Sequence, residues 1–300
     1  MKRYIVVYNP RSSRYNDVRA EVLNKLTELS GCIIGKYEVK PTDVEQNSAE
    51  LAKILKNDDL VIAAGGDATG VIAANAILNS GKDATLAVLP YGNFNDLSRT
   101  LGTNTLEDIL DHSCTIYYPL EILVDGVHYR YATCYVTIGM TAEAVKLYDS
   151  PKMRKKLKTA FGRKISSYTN LASWYFNNRH KKQFIPEFKL NGKLQHPKTS
   201  DYAAVNGRFM ARVMKGGEDY KNAKVFRSET DRLTNFWRLF KLMFKSILFR
   251  TPGSETSGDI LEFTKPATVE LQAEGESCVL KDVSRIEIRK SKKCLKVIQN

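Results

Sequence analysis

The chain has 300 residues, 43% of them apolar and 26% charged, which excludes a disordered chain and leaves room for one large domain or two ordinary ones. Its 46 basic and 33 acidic residues give a net charge of +13. That balance favours polyanionic partners (nucleotide phosphates, anionic membranes or nucleic acid) without choosing among them. The cysteines Cys32, Cys114, Cys134, Cys278 and Cys294 are scattered and form no C-x-x-C pair, and the histidines have no ligand spacing. A disulfide framework or a zinc site is therefore not expected, and reduced thiols in a cytosolic protein fit better.

The apolar run after Met1-Lys2-Arg3 is too short for a signal-peptide core and reads as a first strand over 5–8. No stretch approaches the ~18 apolar residues of a spanning helix. The expected location is the cytoplasm, including the inner face of a membrane. The strand ends in the breaker sequence Asn9-Pro10-Arg11-Ser12-Ser13. Val18, Val22, Leu26 and Leu29 give 17–29 a helical period, a second strand falls near 37–40, and a second helix over 48–55. Residues 60–64 form a continuous apolar run before Gly65-Gly66, as in a buried parallel strand. A helix over 70–78 and a strand over 85–89 follow. This alternation predicts a parallel sheet with helices on its faces, and such sheets bind ligands outside the carboxyl ends of their strands.

Beyond about residue 115 the pattern becomes β-rich. Strands are predicted over 115–124, 127–138, 184–190, 202–205, 260–263, 267–273 and 285–289, with hairpin turns at Asp125-Gly126 and Asn191-Gly192. Helices are predicted near 160–175 and 233–249. The division expected is an α/β nucleotide-binding domain over 1–125 and an antiparallel, sandwich-like domain over 126–300, with a last strand at 295–298 returning to the first.

Three loops carry candidate chemistry. In Gly65-Gly66-Asp67-Ala68-Thr69, glycines would let phosphate oxygens approach the backbone, the helix start would supply N–H donors, and Asp67 would hold a metal ion. The same residues also suit an ordinary strand-to-helix turn with Asp67 as its cap. The run Pro90-Tyr91-Gly92-Asn93-Phe94-Asn95-Asp96-Leu97-Ser98-Arg99 follows another strand; in it Asp96 is either a ligand or a helix cap. The segment from Asn9 to Ser13 either surrounds a nucleotide or is a plain loop. All three follow strands of one sheet and so can converge on one edge.

Taken together, these loops resemble the lipid kinases related to diacylglycerol and sphingosine kinases. That family carries N-P-x-S-G, G-G-D-G-T and P-x-G-T-x-N-D-x-A-R in this order; NAD kinases share the second element and the general architecture but lack the third in this form. The resemblance continues at Thr137 to Glu143, at Ala204-Val205-Asn206-Gly207 and at Leu271-Gln272-Ala273-Glu274-Gly275-Glu276, which is similar to the family's D-G-E turn. It implies an ATP- and Mg2+-dependent transfer of a phosphoryl group to a hydroxyl of diacylglycerol or a related lipid. Asn9, Pro10, Arg11, Ser12, Ser13, Thr42, Gly65, Gly66, Asp67, Ala68, Thr69, Asn93 and Asn95 would surround the nucleotide. Asp67 and Asp96 would hold magnesium, and Glu276 would be the general base, with Glu274 in place of the usual Asp.

Three positions depart from the pattern: Ser13 and Ala68 stand where Gly is usual, and Asn93 where Thr is. The family's acidic D-G loop is hard to find near 225–231. A catalytically weak or inactive lipid- or nucleotide-binding homologue is the alternative reading, favoured by Asn93 and by Ala68, whose methyl would stand where backbone and phosphate come close and which resists a positive φ. The basic, aromatic segment 237–250, with Arg238, Lys241 and Lys245 at helical spacing, suits either a helix in a lipid interface or one packed on the second domain. A second basic cluster spans 152–164. The partners expected are a lipid substrate at a membrane surface, with peripheral association, and no specific nucleic acid. Homodimerisation is left open.

Overall fold

The computed structural model describes residues 2–12, 14–29, 31–110, 113–145, 177, 184–195, 199–210, 214–215, 225–231 and 254–300. The expectations for Ser13, for the helices near 160–175 and 233–249, and for the basic segments 152–164 and 237–250 lie outside them.

The first elements alternate strand and helix. Strand β1 (Lys2–Tyr8) leads into α1 (Tyr15–Val18), a π-helical stretch (Arg19–Asn24) and α2 (Lys25–Glu28). Then come β2 (Cys32–Glu38), α3 (Val44–Ile54), β3 (Asp59–Gly65), α4 (Asp67–Ser80), β4 (Thr85–Pro90), α5 (Asp96–Leu101), α6 (Leu106–Leu110) and β5 (Cys114–Tyr117). The second half holds β6 (Leu120–Val124), β7 (Val127–Ala132), β8 (Tyr135–Gly139), α7 (Met140–Val145), β9 (Phe188–Leu190), β10 (Lys193–Leu194) and β11 (Thr199–Val205). After them come β12 (Phe209–Met210), β13 (Met214–Lys215), β14 (Val225–Asp231), β15 (Ser254–Thr256), β16 (Gly258–Ala273), β17 (Glu276–Lys290) and β18 (Leu295–Ile298).

Six strands form the first sheet, in the order β2-β1-β3-β4-β18-β5. All neighbours are parallel except β5, which runs antiparallel to β18. Strand β3 is buried almost throughout because helices cover both faces of the sheet. On one face Ile5, Val61, Ala63 and Val88 pack against α3 and α4. On the other, Val6, Ile62 and Leu89 meet Val18, Val22 and Leu26 of the first helical run and Ile109 of α6.

The second sheet runs β15-β14-β11-β8-β16-β17-β6-β7, with β9 against β16 and β10 against β9. Its own core includes Leu120, Ile138, Tyr202, Leu271 and Ile286. The expected division at residue 125 falls inside a hairpin, since Val124 pairs with Val127 around Asp125-Gly126. The second sheet therefore begins at Leu120. The run predicted as one strand over 115–124 is two strands in different sheets, broken at Tyr118-Pro119, because proline cannot donate to a ladder. The run over 127–138 is likewise two strands, parted at Thr133-Cys134, whereas 260–263 and 267–273 are one strand, β16.

The first sheet's core continues without a break into Tyr131, Cys134, Tyr135, Ala203 and Val205 of the second half. Helix α4 lies at this junction and is buried all round from Thr69 to Leu78, which is why its sequence is apolar on every face.

Candidate active site

Three loops leave the carboxyl ends of β1, β3 and β4. In the first, Asn9 accepts the Arg11 N–H on its side-chain oxygen at 3.0 Å and the Ser12 N–H on its carbonyl at 3.0 Å. Pro10 sits inside this tight turn and Arg11 is exposed. The turn delivers Arg14, whose guanidinium pairs with Asp17 at 2.7 Å, donates to the Pro90 carbonyl at 3.0 Å and lies 4.9 Å above the Tyr91 ring. The Tyr91 hydroxyl donates to Glu21 at 2.7 Å. Arg14 and Tyr91 thus fasten the first loop to the third.

The second and third loops meet through glycine. A Cβ on Gly92 would fall 2.2 Å from Gly66 Cα, and one on Gly65 would fall 2.4 Å from the Thr69 hydroxyl oxygen. The Tyr91 N–H donates to the Gly65 carbonyl at 3.0 Å. Close approach of two backbones, before any ligand is considered, demands glycine here.

Asp67 is the first residue of α4, after Gly66 as N-cap. Its carboxylate turns outward to accept the N–H groups of Asn95 at 3.0 Å and Asp96 at 2.7 Å, and so caps α5, the next helix, instead of its own. Burial raises the Asp67 pKa against the pull of those two donors. Asn95 adopts a left-handed conformation (φ 58°), and its amide accepts from the Gly92 N–H at 2.8 Å and donates to the Gly92 carbonyl at 2.9 Å. Asp96 is buried beside it as the first residue of α5. Asn93 is partly exposed in the same loop. Ala68 lies in the first turn of α4 with ordinary helical backbone, so no positive φ is required there. The conformational part of the objection to Ala68 does not apply, and alanine is a good helix former.

Thr42 does not cap α3. Asp43 does, accepting the Gln46 N–H at 2.7 Å. Thr42 is an exposed loop residue whose hydroxyl accepts from the Asn47 amide at 2.8 Å.

The second domain contributes the turn between β16 and β17. Glu274 and Gly275 both have positive φ (52° and 87°) and close a two-residue hairpin in which Ala273 pairs with Glu276. This geometry sends the two acidic side chains to different places. Glu274 is buried and accepts both the Thr133 hydroxyl, at 2.6 Å, and the Cys134 N–H. Burial, aided by the charge of Asp67, pushes its pKa from 4.5 up to about 8 against those two donors. Glu276, the first residue of β17, is exposed. Cys134 and Tyr135, buried between these groups, have their pKa values raised by burial and by the charges of Asp67, Asp96 and Glu274. Three carboxylates from both domains therefore act on one buried neighbourhood.

Among the described residues no cluster of three or more His, Cys, Asp or Glu side chains forms a protein cage for a metal. Asp67 and Asp96 still fit magnesium held mainly by phosphate oxygens, which needs only one or two carboxylates and water from its site. A helix start and hard oxygen donors beside glycine-rich turns suit a nucleotide polyphosphate with its cation.

This is an architecture of a parallel-sheet α/β domain and a separate antiparallel β domain whose hairpin carries the buried Glu274. Residues 3–122 match the family model of the diacylglycerol kinase catalytic domain. The chain is 33% identical over 167 residues to a diacylglycerol kinase of Bacillus subtilis, a match covering 54% of this chain and 52% of that protein. It is 34% identical over 128 residues to one of Staphylococcus saprophyticus, covering 42% and 38%. The matches thus span about half or less of these curated relatives. A crystal structure of a diacylglycerol kinase from Bacillus anthracis superposes over 100% of this chain and 97% of its own with TM-score 0.65 at 14% identity. A second structure from that organism gives 0.68 at 16% identity with the same coverage. At such identities the likeness concerns the fold.

Sequence reasoning did not single out Arg14 or Thr133, and it assigned the base to Glu276, which is exposed, whereas Glu274 is buried. The available signals were Arg14 directly after the first loop and a Glu-Gly pair at a hairpin corner, where the first residue must turn left-handed.

Proposed function

We propose that the protein transfers the γ-phosphoryl group of ATP, with magnesium, to a hydroxyl of diacylglycerol or a related lipid alcohol. The observation that supports this reading is that the charges of Asp67 and Asp96, on the glycine-rich loops, and of the buried Glu274 of the second domain all act on Cys134 and Tyr135. The nucleotide phosphates would lie against the N-terminus of α4 and the loops from Asn9, Gly65 and Pro90. Magnesium, when bound there, would neutralise phosphate charge. Asp67, by holding the start of α5, keeps Asn95 and Asp96 in place for that task.

Glu274 replaces Glu276 as the proton acceptor in this proposal. A lipid hydroxyl needs a carboxylate within hydrogen-bond reach as phosphorus is attacked, and a base with pKa about 8 has the basicity for it at neutral pH. The Thr133 hydroxyl and the Cys134 N–H orient that carboxylate. Phosphoryl transfer otherwise depends on positioning and charge neutralisation, so few reactive side chains are needed.

A bilayer-borne substrate calls for peripheral membrane contact, and the net charge of +13 suits an anionic surface. Among the described residues no helix is long and apolar enough to cross a membrane. Incubating the protein with labelled ATP, magnesium and a panel of lipids in mixed vesicles tests the reading. Label is expected in a lipid alcohol such as diacylglycerol. ATP binding without transfer to any lipid would contradict it and favour a silent homologue.

A further inference from the structure

One chain of contacts between the two halves of the proposed site passes through Asn75. Asn75 lies in the middle of α4, eight residues after Asp67, and is buried. Its amide nitrogen donates to the Tyr131 carbonyl at 2.9 Å, and its amide oxygen accepts the Tyr131 N–H at 2.9 Å. The same nitrogen also reaches the Val71 carbonyl of its own helix at 2.9 Å.

Tyr131 belongs to β7, which closes one end of the second sheet with β6 as its partner in the ladder. Asn75 therefore gives the outward edge of β7 the two hydrogen bonds that another strand would have given, and ties that edge to a helix of the first domain. Two residues further along the chain come Thr133, whose hydroxyl holds Glu274, and then Cys134, whose N–H does the same. Two turns back along α4 is Asp67, which holds α5. An α-helix is stiff over such a span, about 12 Å at 1.5 Å per residue. Arg130 adds a parallel tie, pairing with Glu45 of α3 at 2.7 Å.

We propose that Asn75 is a positioning residue for phosphoryl transfer: by clamping α4 to the main chain of Tyr131 it sets the placement of Glu274 relative to Asp67. The inference rests on the lipid kinase reading above. The nucleotide loops belong to the first domain, whereas the proton acceptor belongs to the second. Loosening the clamp should therefore leave nucleotide binding intact and slow the transfer step. Misplacement of a reacting group by about 1 Å costs on the order of 100-fold.

The test compares wild type, Asn75→Ala and Asn75→Asp in steady-state kinetics with MgATP and diacylglycerol vesicles, alongside hydrogen exchange over residues 130–134. Asn75→Asp keeps the size and the acceptor but puts an oxygen against the Tyr131 carbonyl, so it carries the test if the alanine variant does not fold. The expected result is a kcat lower by about tenfold or more, a KM for MgATP within about twofold of wild type, and faster exchange at Tyr131. Unchanged kcat with faster exchange would overturn the positioning role while leaving the kinase reading intact. Parallel damage to kcat and the KM for MgATP would also overturn it, since that marks a disturbed helix. A wild-type protein that labels no lipid would sink the kinase reading and this inference with it.

Discussion

Glu274 and Glu276 are two residues apart and chemically identical, yet their surroundings give them different chemistry. Glu274 sits at the left-handed corner of the hairpin, buried against Thr133 and Cys134, while Glu276 starts the returning strand in solvent. The sequence shows two carboxylates flanking a glycine; which one turns inward depends on the turn's backbone and on β16 lying against β8, neither of which a local pattern encodes. Asp67 was legible as a candidate from the glycines before it. Its grip on the start of α5 was not, because that contact spans nearly thirty residues.

Glu274 (about 8) and Asp201 (about 7, buried and accepting from the Thr141 hydroxyl at 2.6 Å) both have pKa values raised above their ordinary 4.5 and 3.8 by burial. A carboxyl raised in the folded state binds more protons there than in the unfolded chain between the two pKa values. Its stabilisation is complete below about pH 4 and is lost as pH rises through 7 to 8. Denaturant unfolding across pH 4 to 9 should therefore show declining stability, and Glu274→Gln should flatten the upper part of that decline. The same ionisation makes Glu274 competent as a base, so kcat/KM for the lipid should climb with pH toward a plateau above about 8, opposite to stability. A flat kcat/KM profile between pH 6 and 9 would count against this assignment.

The elements forming the first domain's site were largely readable, because apolar runs ending in glycine at 65 and at 92 mark buried strands with ligand loops. Helix α3 starts four residues earlier than the apolar period suggests, since Asp43 caps it ahead of polar residues. The second domain was less readable. Pro119 was a usable sign that 115–124 could not be one strand, whereas the break at Thr133-Cys134 follows from tertiary contacts, where the Cys134 carbonyl accepts from Asn206 at 2.7 Å and Gly207 at 2.9 Å. Asn75, a polar residue inside an otherwise apolar helix, was also a signal, because a buried amide requires partners. At this scale the Gly66–Gly92 approach makes a direct prediction. Gly92→Ala should destabilise the protein by on the order of 1–3 kcal/mol. It should also weaken ATP binding, because the loops must part to admit the methyl group. Calorimetric titration with MgATP and a melting curve check both, and wild-type values in each would mean that the loops do not need to touch.

For the whole molecule, the return of β18 between β4 and β5 makes the first sheet depend on the end of the described chain. The apolar core running from the first sheet into Tyr131, Tyr135 and Val205 makes the junction firm. That firmness matters because the proposed reaction needs groups from both domains. The parallel sheet and the antiparallel sheet were each foreseeable from their patterns, but the electrostatic influence of Asp67 on Glu274 comes only from their docking. One experiment addresses it most directly: single-turnover phosphorylation of diacylglycerol by Glu274→Gln and Glu276→Gln side by side, with MgATP affinity measured for each. The account predicts that Glu274→Gln slows transfer by about 100-fold or more with ATP affinity retained, while Glu276→Gln stays within about tenfold of wild type. Near-normal transfer by Glu274→Gln, with the loss falling on Glu276→Gln, would contradict it.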